Sequence, residues 1–520
     1  MKSLPLRDLA TGLAGEFIIG DGSTQVRDLV YDSRRGQPGD AFVALPSVQL
    51  DGHDFIGDAY RRGVRTFVVE HWPGVGNTAE PGVGSTAEPG DAPQDSDLTV
   101  WQVPDTRVAL AGLSAAYFGH PAEKLTVVGL TGTKGKTTTS YIIKAICDAA
   151  GRRTGLIGSN GITYPAPGDP RAEGGVVHFK LMNTTPESYE LHRIFAEMAD
   201  AGVTTVVLEA TSQGFMMHRT DGVQFAIGLF TNISHDHISP LEHPSFEHYF
   251  ACKKRIFDQS DVCVVNRDAQ LYDEIVDNVT IPIRTYGLTP GVDYWEQAAE
   301  PSQPVLGGPQ SFVCQAPGFT EQFAINLLGQ FNVSNAMAAI AITDMLGLPV
   351  AAMRAGLAAA RVPGRLEVLD VPAPYTVMID FAHNRLSMEA MIDALQSYQP
   401  RRILSVFGLE GDRSHERRFD CGEVIGRSMA YTILADASPR FDDPDQILAD
   451  IAAGIERGGG AGKYEIIRDR RVAIPKILSM AEPGDVVLLV GKGAVTYEEV
   501  KGVNYPFDER DVVKEYFQNF

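Results

Sequence analysis

A chain of 520 residues exceeds what one hydrophobic core can hold, so about two to four domains are expected. With 44% hydrophobic and 21% charged residues the composition is that of a water-soluble globular protein. Lys+Arg of 45 against Asp+Glu of 66 leaves a net charge of −21, which argues against non-specific nucleic-acid or anionic-membrane binding. An anionic substrate therefore needs a locally basic pocket. Five scattered cysteines form no C-x-x-C pair, which excludes a disulfide scaffold and a zinc ribbon. No leader-like segment opens the chain and no apolar run approaches a membrane span, so a cytoplasmic location is expected.

Residues 1 to 120 read as a small α/β domain. Strands are expected over Asp40–Leu45 and Thr66–Glu70, with a helix over Phe55–Arg62 between them. Asp32-Ser33-Arg34-Arg35 and Asp51-Gly52-His53 are polar punctuation, for which turns are the plain explanation. The tandem repeat over 73 to 88 is low-complexity and is expected to be a flexible insertion.

The second domain, 121 to 362, opens on Thr126-Val-Val-Gly-Leu-Thr-Gly-Thr-Lys-Gly-Lys-Thr-Thr-Thr139. A β-branched run enters a Gly-rich turn, and a helical pattern follows over Ser140–Cys147. That is the context of a phosphate-binding loop. Gly132 and Gly135 let the backbone approach a polyphosphate, and backbone N–H groups of the loop, to which Thr133 and Lys134 belong, face the anion with the helix N-terminus. Lys136 is placed to bridge terminal phosphates, and the Thr137 hydroxyl, followed by Thr138, to sit on Mg²⁺. The pattern G-x-x-x-x-G-K-[ST] is missed only at its first position, where Leu130 stands.

Strands then alternate with helices: Thr154–Gly158, a helix over Ser188–Ala199, Thr204–Ala210 and the apolar run Phe225–Asn232. Such alternation implies a mostly parallel sheet, whose ligands gather at the carboxyl ends of its strands. Thr137, Glu209 and Ser234-His-Asp-His237 lie at such ends, a set of groups suited to magnesium, although His237 is a less usual ligand and also reads as part of a helix cap. Asn183-Thr-Thr-Pro-Glu187 places Thr184 and Thr185 at a helix start, where threonine is also an ordinary cap. By spacing alone the basic stretch Tyr249–Arg255 is a solvated helix face.

After Val362-Pro-Gly-Arg-Leu366 the alternation restarts, giving a third α/β domain over 363 to 520. Strands are expected over Tyr375–Phe381, Arg402–Phe407, Tyr431–Ala435 and Asp485–Val490. The loops that follow them suggest a second face to an active site.

Taken together, these loops resemble the Mur ligases. The pieces are Thr131-Gly-Thr-Lys-Gly-Lys-Thr-Thr138, Asn183-Thr-Thr-Pro186, Glu209-Ala-Thr-Ser-Gln213, His218-Arg219, Phe230-Thr-Asn-Ile-Ser-His-Asp-His237, Ala251-Cys-Lys253, Gly329-Gln-Phe-Asn332 and Gly364-Arg365. The resemblance runs almost end to end, apart from the repeat, and is nearest to members that add the third peptide residue in peptidoglycan synthesis. It implies a small N-terminal α/β domain, a central P-loop-type ATPase domain with a mostly parallel sheet and a C-terminal Rossmann-like domain. It implies ATP, Mg²⁺, UDP-N-acetylmuramoyl-L-alanyl-D-glutamate and an amino acid as ligands, with a monomer expected. Ser33 and His53 would help hold the UDP end; Thr184, Thr185, Ser212 and Arg219 would hold the muramyl-peptide. Thr137, Glu209, His237 and Lys253 would serve metal, with Lys253 carbamylated to N6-carboxylysine; Lys136, Glu209, His237 and Lys253 would be catalytic. Asn332 and Arg365, with Asp380 and His383, would line the ATP and interdomain region. The γ-phosphoryl group would pass to the D-glutamyl carboxylate, and the amino acid would attack the acyl phosphate, with closure of the third domain excluding water.

The third domain departs from the family pattern. Where diaminopimelate enzymes usually show Asp-Asn-Pro-Arg, this chain has Ala437-Ser-Pro-Arg440; Arg440 would read a distal carboxylate. Gly-Lys-Gly-His-Glu appears as Gly491-Lys-Gly-Ala-Val495, without the glutamate that would pair with a distal ammonium. Asp380-Phe-Ala-His-Asn-Arg385 stands where Tyr-Ala-His-Thr-Pro is usual. Diaminopimelate, lysine, ornithine or another diamino acid stays open. A folylpolyglutamate or cyanophycin-type synthetase would share the central domain but has no use for a UDP-holding module. A nucleotide-dependent switch would need only the phosphate loop.

Overall fold

A computed structural model describes residues 3–47, 50–75, 97–235, 238–239, 242–297 and 306–518. The chain forms two compact units, residues 1–136 with 152–284 and residues 137–151 with 285–520. Most of the 73–88 repeat, and His237, lie outside the described residues.

In the first unit the N-terminal sheet runs in the order Glu16–Ile19, Thr99–Gln102, Thr66–Val69, Ala41–Val43, Leu29–Val30. Only Glu16–Ile19 is antiparallel to its neighbour. Side chains alternate across a strand, so Val43, Val68 and Trp101 pack one face with Leu110 and Leu113 of the helix Thr106–Tyr117. Phe42, Phe67 and Val100 cover the other face with Ile56 and Ala59. The expected helix over Phe55–Arg62 is Ile56–Arg61, preceded by a 3-10 turn whose N-cap is Asp51.

The central sheet of this unit is ordered Val176–Phe179, Gly161–Pro165, Thr154–Gly158, Thr205–Glu209, Thr126–Thr131, Ile227–Phe230, Cys263–Asn266. The last five strands are parallel, and the first two form an antiparallel edge. Every residue of Thr154–Gly158, Thr205–Glu209, Ile227–Phe230 and Cys263–Asn266 is buried, as expected of strands covered on both faces. Glu209 pairs with Leu130 and Phe230 with Thr131, so three strands end at one level of one edge. The two parts of this unit are joined by polar contacts: Tyr189 donates to Asp28 (2.5 Å) and Tyr31 to Glu190 (2.7 Å).

The second unit holds the helix Lys136–Ala149 from Thr137 onward, a set of antiparallel strands (Tyr294–Gln297, Gln310–Gln315, Thr320–Ile325) and the almost wholly buried helix Gln330–Met345. Its C-terminal sheet is ordered Glu367–Leu369, Thr376–Asp380, Val486–Val490, Ile403–Phe407, Tyr431–Leu434, Tyr464–Ile466. All but the first strand are parallel. The alternation expected from sequence is therefore present.

The carboxyl edge of that sheet is tied by one buried cation. Arg470 ion-pairs with Glu509 and donates to the carbonyls of Asp436 (2.7 Å) and Val490 (3.1 Å), so it joins two strand-end loops. Both partners are about fully buried, at 0% and 1% exposure. Removing one partner of such a pair strands the other charge in a low dielectric. Arg470→Met is expected to cost about 3 kcal/mol, read as a lowered denaturant midpoint for the second unit. Adding Glu509→Leu should recover most of the loss; an unchanged midpoint in the single variant contradicts this account.

Candidate active site

The loop after Thr126–Thr131 is fixed from the neighbouring strand end. Thr133 N–H donates to the Asn232 carbonyl (2.9 Å), and Lys134 N–H to Asn232 Oδ1 (2.9 Å). Thr231 Oγ1 and Asn232 Nδ2 donate to the Lys134 carbonyl (2.7 and 3.2 Å). Gly132 and Gly135 take φ of +135° and +91°. A Cβ on Gly132 would stand 2.0 Å from Thr231 Oγ1, so only glycine allows this approach.

Two ammonium groups converge on this loop. Lys136 Nζ donates to the Gly132 carbonyl at 2.7 Å and to that of Thr133 at 3.3 Å. Lys253 Nζ donates to the same Gly132 carbonyl at 2.8 Å and lies 4.7 Å from the centre of the Tyr249 ring. Tyr249 in turn shares a hydrogen bond with Thr133 Oγ1 (3.0 Å). Lys253 belongs to the helix Phe246–Asp258 and is only 2% exposed. The spacing-based expectation of a solvated face fails here because the helix turns this lysine inward, onto the loop.

Glu209 ends the adjacent strand with no exposed surface. Its carboxylate accepts from Ser159 N–H and Ser159 Oγ, both at 3.1 Å, and Ser159 Oγ lies 3.3 Å from Thr184 Oγ1. Sequence reading passed over Ser159, although it follows the strand Thr154–Gly158 directly and so stands at a carboxyl end.

The helix Ser188–Asp200 begins after Glu187, whose side chain makes no cap, and Thr185 has another task. Its hydroxyl donates to the Glu209 carbonyl (2.8 Å) and accepts from Thr211 N–H (3.0 Å). Arg219 donates to the Thr185 carbonyl (3.3 Å) and pairs with Glu187 at 2.6 Å. Arg107, from the N-terminal sheet's helix, reaches the same Glu187 at 3.4 Å. Arg219 Nε is buried without a hydrogen-bond partner. Ser212 is buried and lies 2.9 Å from His243 Nε2.

In the N-terminal domain, Ser33 is buried in the 3-10 turn Ser33–Arg35. His53 is 3% exposed; Nδ1 donates to Asp51 (2.6 Å) and Nε2 accepts from Glu70 N–H (2.9 Å). That assignment follows because Nε2 faces a donor, so the proton of the neutral ring sits on Nδ1. The His53 ring stacks on that of His71, with centroids 4.1 Å apart.

In the second unit, Thr137 and Thr138 are buried in the first turn of the helix Lys136–Ala149. Asn332 donates to the Leu328 carbonyl (2.8 Å) and accepts from Asn335 (3.0 Å). Arg365 stacks over Phe381, 4.9 Å from its centre. Asp380 is buried and accepts from Leu366 and Ala382 N–H, both at 2.7 Å; burial pushes its carboxyl above the usual range. His383 Nδ1 lies 2.9 Å from the Phe381 carbonyl. Arg440 takes φ of +53° and is flanked by Glu410 (3.1 Å) and Glu499 (3.3 Å). Lys492 donates to the Tyr497 carbonyl (2.7 Å); burial, with the charge of Arg470, lowers its ammonium to about 8.

The structure thus gathers Gly132, Thr133, Lys134, Lys136 and Lys253 at one loop, with Glu209, Thr184, Thr185 and Arg219 linked in sequence beside the next strand end. Ser33 and His53 sit in the N-terminal domain; Thr137, Thr138, Asn332, Arg365 and Arg440 belong to the second unit.

Known proteins match along the whole chain. Residues 25–118 match the Mur ligase family catalytic domain, 130–343 the Mur ligase middle domain and 364–493 the Mur ligase glutamate ligase domain. A protein of Clostridium perfringens (strain 13 / Type A) is 34% identical over 98% of each chain. One of Caldanaerobacter subterraneus subsp. tengcongensis is 32% identical, again over 98% of each. Both are named UDP-N-acetylmuramoyl-L-alanyl-D-glutamate--2,6-diaminopimelate ligase. A solved structure of a ligase of that name superposes with a TM-score of 0.65 at 24% identity, covering 100% of this chain and 99% of the other. These matches show that this chain belongs to the Mur ligase family.

Proposed function

We propose that the chain is an ATP-dependent amide ligase that adds a diamino acid to UDP-N-acetylmuramoyl-L-alanyl-D-glutamate in peptidoglycan synthesis. The observation that carries this reading is the convergence of Lys136 and Lys253 on the Gly132 carbonyl beside buried Glu209. In a chain of net charge −21, Lys136 sets a cation at this loop, where a polyphosphate would need one. Residues 1–120 would hold the UDP end, 121–362 ATP, and 363–520 the amino acid.

The roles follow from chemistry. The head of the helix that begins at Lys136 would face the phosphates, with Lys136 released from its loop carbonyls to meet them, while the N–H groups of Thr133 and Lys134 stay committed to Asn232. Asn332 and Arg365 would serve the nucleotide, and Arg440 the incoming amino acid. Arg219, with an unmet buried donor at Nε, is suited to an anionic muramyl-peptide, as are the hydroxyls of Thr184, Thr185 and Ser212. Thr137, Glu209, His237 and a carbamylated Lys253 would hold Mg²⁺, which supplies charge neutralisation at the phosphates. The buried Lys253 fits that modification. As a carbamate it would accept rather than donate, and would turn from the Gly132 carbonyl toward the cation.

The D-glutamyl carboxylate would take the γ-phosphoryl group, and the amino group of the diamino acid would displace phosphate from the acyl phosphate. The protein's part is orientation and charge compensation. The match of residues 25–118 favours this over a folate-type synthetase. We propose a cytoplasmic monomer; among the described residues no helix is long and apolar enough to cross a membrane.

Two outcomes are expected. Given ATP, Mg²⁺ and UDP-N-acetylmuramoyl-L-alanyl-D-glutamate, the protein should release phosphate with diaminopimelate, lysine or ornithine, and the product mass should identify the residue added. Phosphate release with none of them contradicts the reading. Lys253→Ala should lower kcat/KM by about 10²- to 10³-fold without altering the fold. In ¹³C-bicarbonate the wild-type chain should show a carbamate carbon resonance that this variant lacks; full activity in the variant rejects the role.

A further inference from the structure

Beside Lys253 on the same helix lies a cluster that the ligase chemistry does not use. His248 and Cys252 are four residues apart on Phe246–Asp258 and so share a face, and His243 precedes the helix. His243 Nδ1 and His248 Nδ1 are 3.0 Å apart, and Cys252 Sγ lies 3.8 Å from His248 Nδ1. All three donor atoms fall within 4.8 Å of one another. Tetrahedral zinc, with bonds near 2.05 Å to nitrogen and 2.3 Å to sulfur, separates N from N by about 3.3 Å and N from S by about 3.6 Å. The two spacings to His248 Nδ1 lie within about 0.3 Å of these values.

A further feature fits. The other nitrogen of His243, Nε2, lies 2.9 Å from Ser212 Oγ. A histidine that ligates through Nδ1 carries its proton on Nε2 and donates it to a neighbouring acceptor, which fixes the ring. His248 is exposed, so a cation has a route from solvent, while His243 and Cys252 are buried. The donor set of two imidazoles and a thiol suits zinc-class cations and not magnesium.

We propose that His243, His248 and Cys252 form a three-residue site for a zinc-class divalent cation, with solvent as the fourth ligand. Binding makes one metal–sulfur and two metal–nitrogen bonds, and the thiol proton leaves to solvent. Occupancy sets Ser212 as the acceptor of the His243 proton, which links this site to the muramyl-peptide side of the cleft. The proposal concerns binding alone and stands apart from which amino acid the enzyme adds.

The test is a Co²⁺ titration of the reduced, chelator-stripped full chain in excess Mg²⁺, followed by Zn²⁺. One equivalent should bind with a thiolate-to-cobalt charge-transfer absorption, and Zn²⁺ should remove it. Cys252→Ser should abolish the sulfur band, while His248→Ala, an exposed position that leaves the core untouched, should weaken Co²⁺ binding by about tenfold or more. The four other cysteines, all buried and none in such a cluster among the described residues, serve as the internal control. No sulfur band in the wild type, a band that survives Cys252→Ser, or unchanged affinity in His248→Ala would overturn the site.

Discussion

One carbonyl oxygen, that of Gly132, organises the centre of this molecule. Two ammonium groups from elements far apart in sequence, Lys136 and Lys253, donate to it. This is possible because the loop carrying it cannot drift: Thr231 and Asn232 hold Thr133 and Lys134 through backbone and side-chain hydrogen bonds. The absence of a Cβ at Gly132 permits that approach, since an added Cβ would stand 2.0 Å from Thr231 Oγ1. The parallel sheet sets the level at which these parts meet, through the pairings of Leu130 with Glu209 and Thr131 with Phe230. Sheet register and loop geometry are therefore one constraint.

The chain's acidity sharpens this arrangement. A surface of net charge −21 gives an anionic substrate no general attraction, so charge recognition has to be local. Glu187 lies between Arg107 and Arg219, joining the N-terminal helix to the segment that carries Thr185. In the second unit Glu410 and Glu499 compensate Arg440, and Glu509 compensates Arg470. The Arg470–Glu509 pair, buried on both sides, is costly to separate, which suits it to holding position.

Much of this was legible in the amino-acid order. The strand, glycine turn and helix at Thr126–Ala149 read directly, because β-branched runs, glycine pairs and helical periodicity are local signals. The four strands expected in the third domain each lie within a residue or two of their place, while the short edge strands Glu367–Leu369 and Tyr464–Ile466 escaped. What escaped depends on packing. Lys253 sits in a stretch whose local pattern is that of a wet helix, and only the tertiary fold buries it. Thr185 stands where capping is the usual use of threonine, yet it supports the Glu209 backbone. Ser159 carries no motif, and its contact with Glu209 spans 50 residues. The two nitrogens of His53 are taken by Asp51 and Glu70, a commitment that no spacing rule reveals. His237 and most of the 73–88 repeat lie outside the described residues.

A loop at Gly132 that holds ATP would pass its last phosphoryl group to a peptide carboxylate. The most direct test follows an oxygen atom. With UDP-N-acetylmuramoyl-L-alanyl-D-glutamate labelled with ¹⁸O in the reacting carboxylate, one carboxylate oxygen should leave in the released inorganic phosphate. Transfer of one ¹⁸O atom per turnover is the predicted result; phosphate free of label, with amide product formed, would contradict the account.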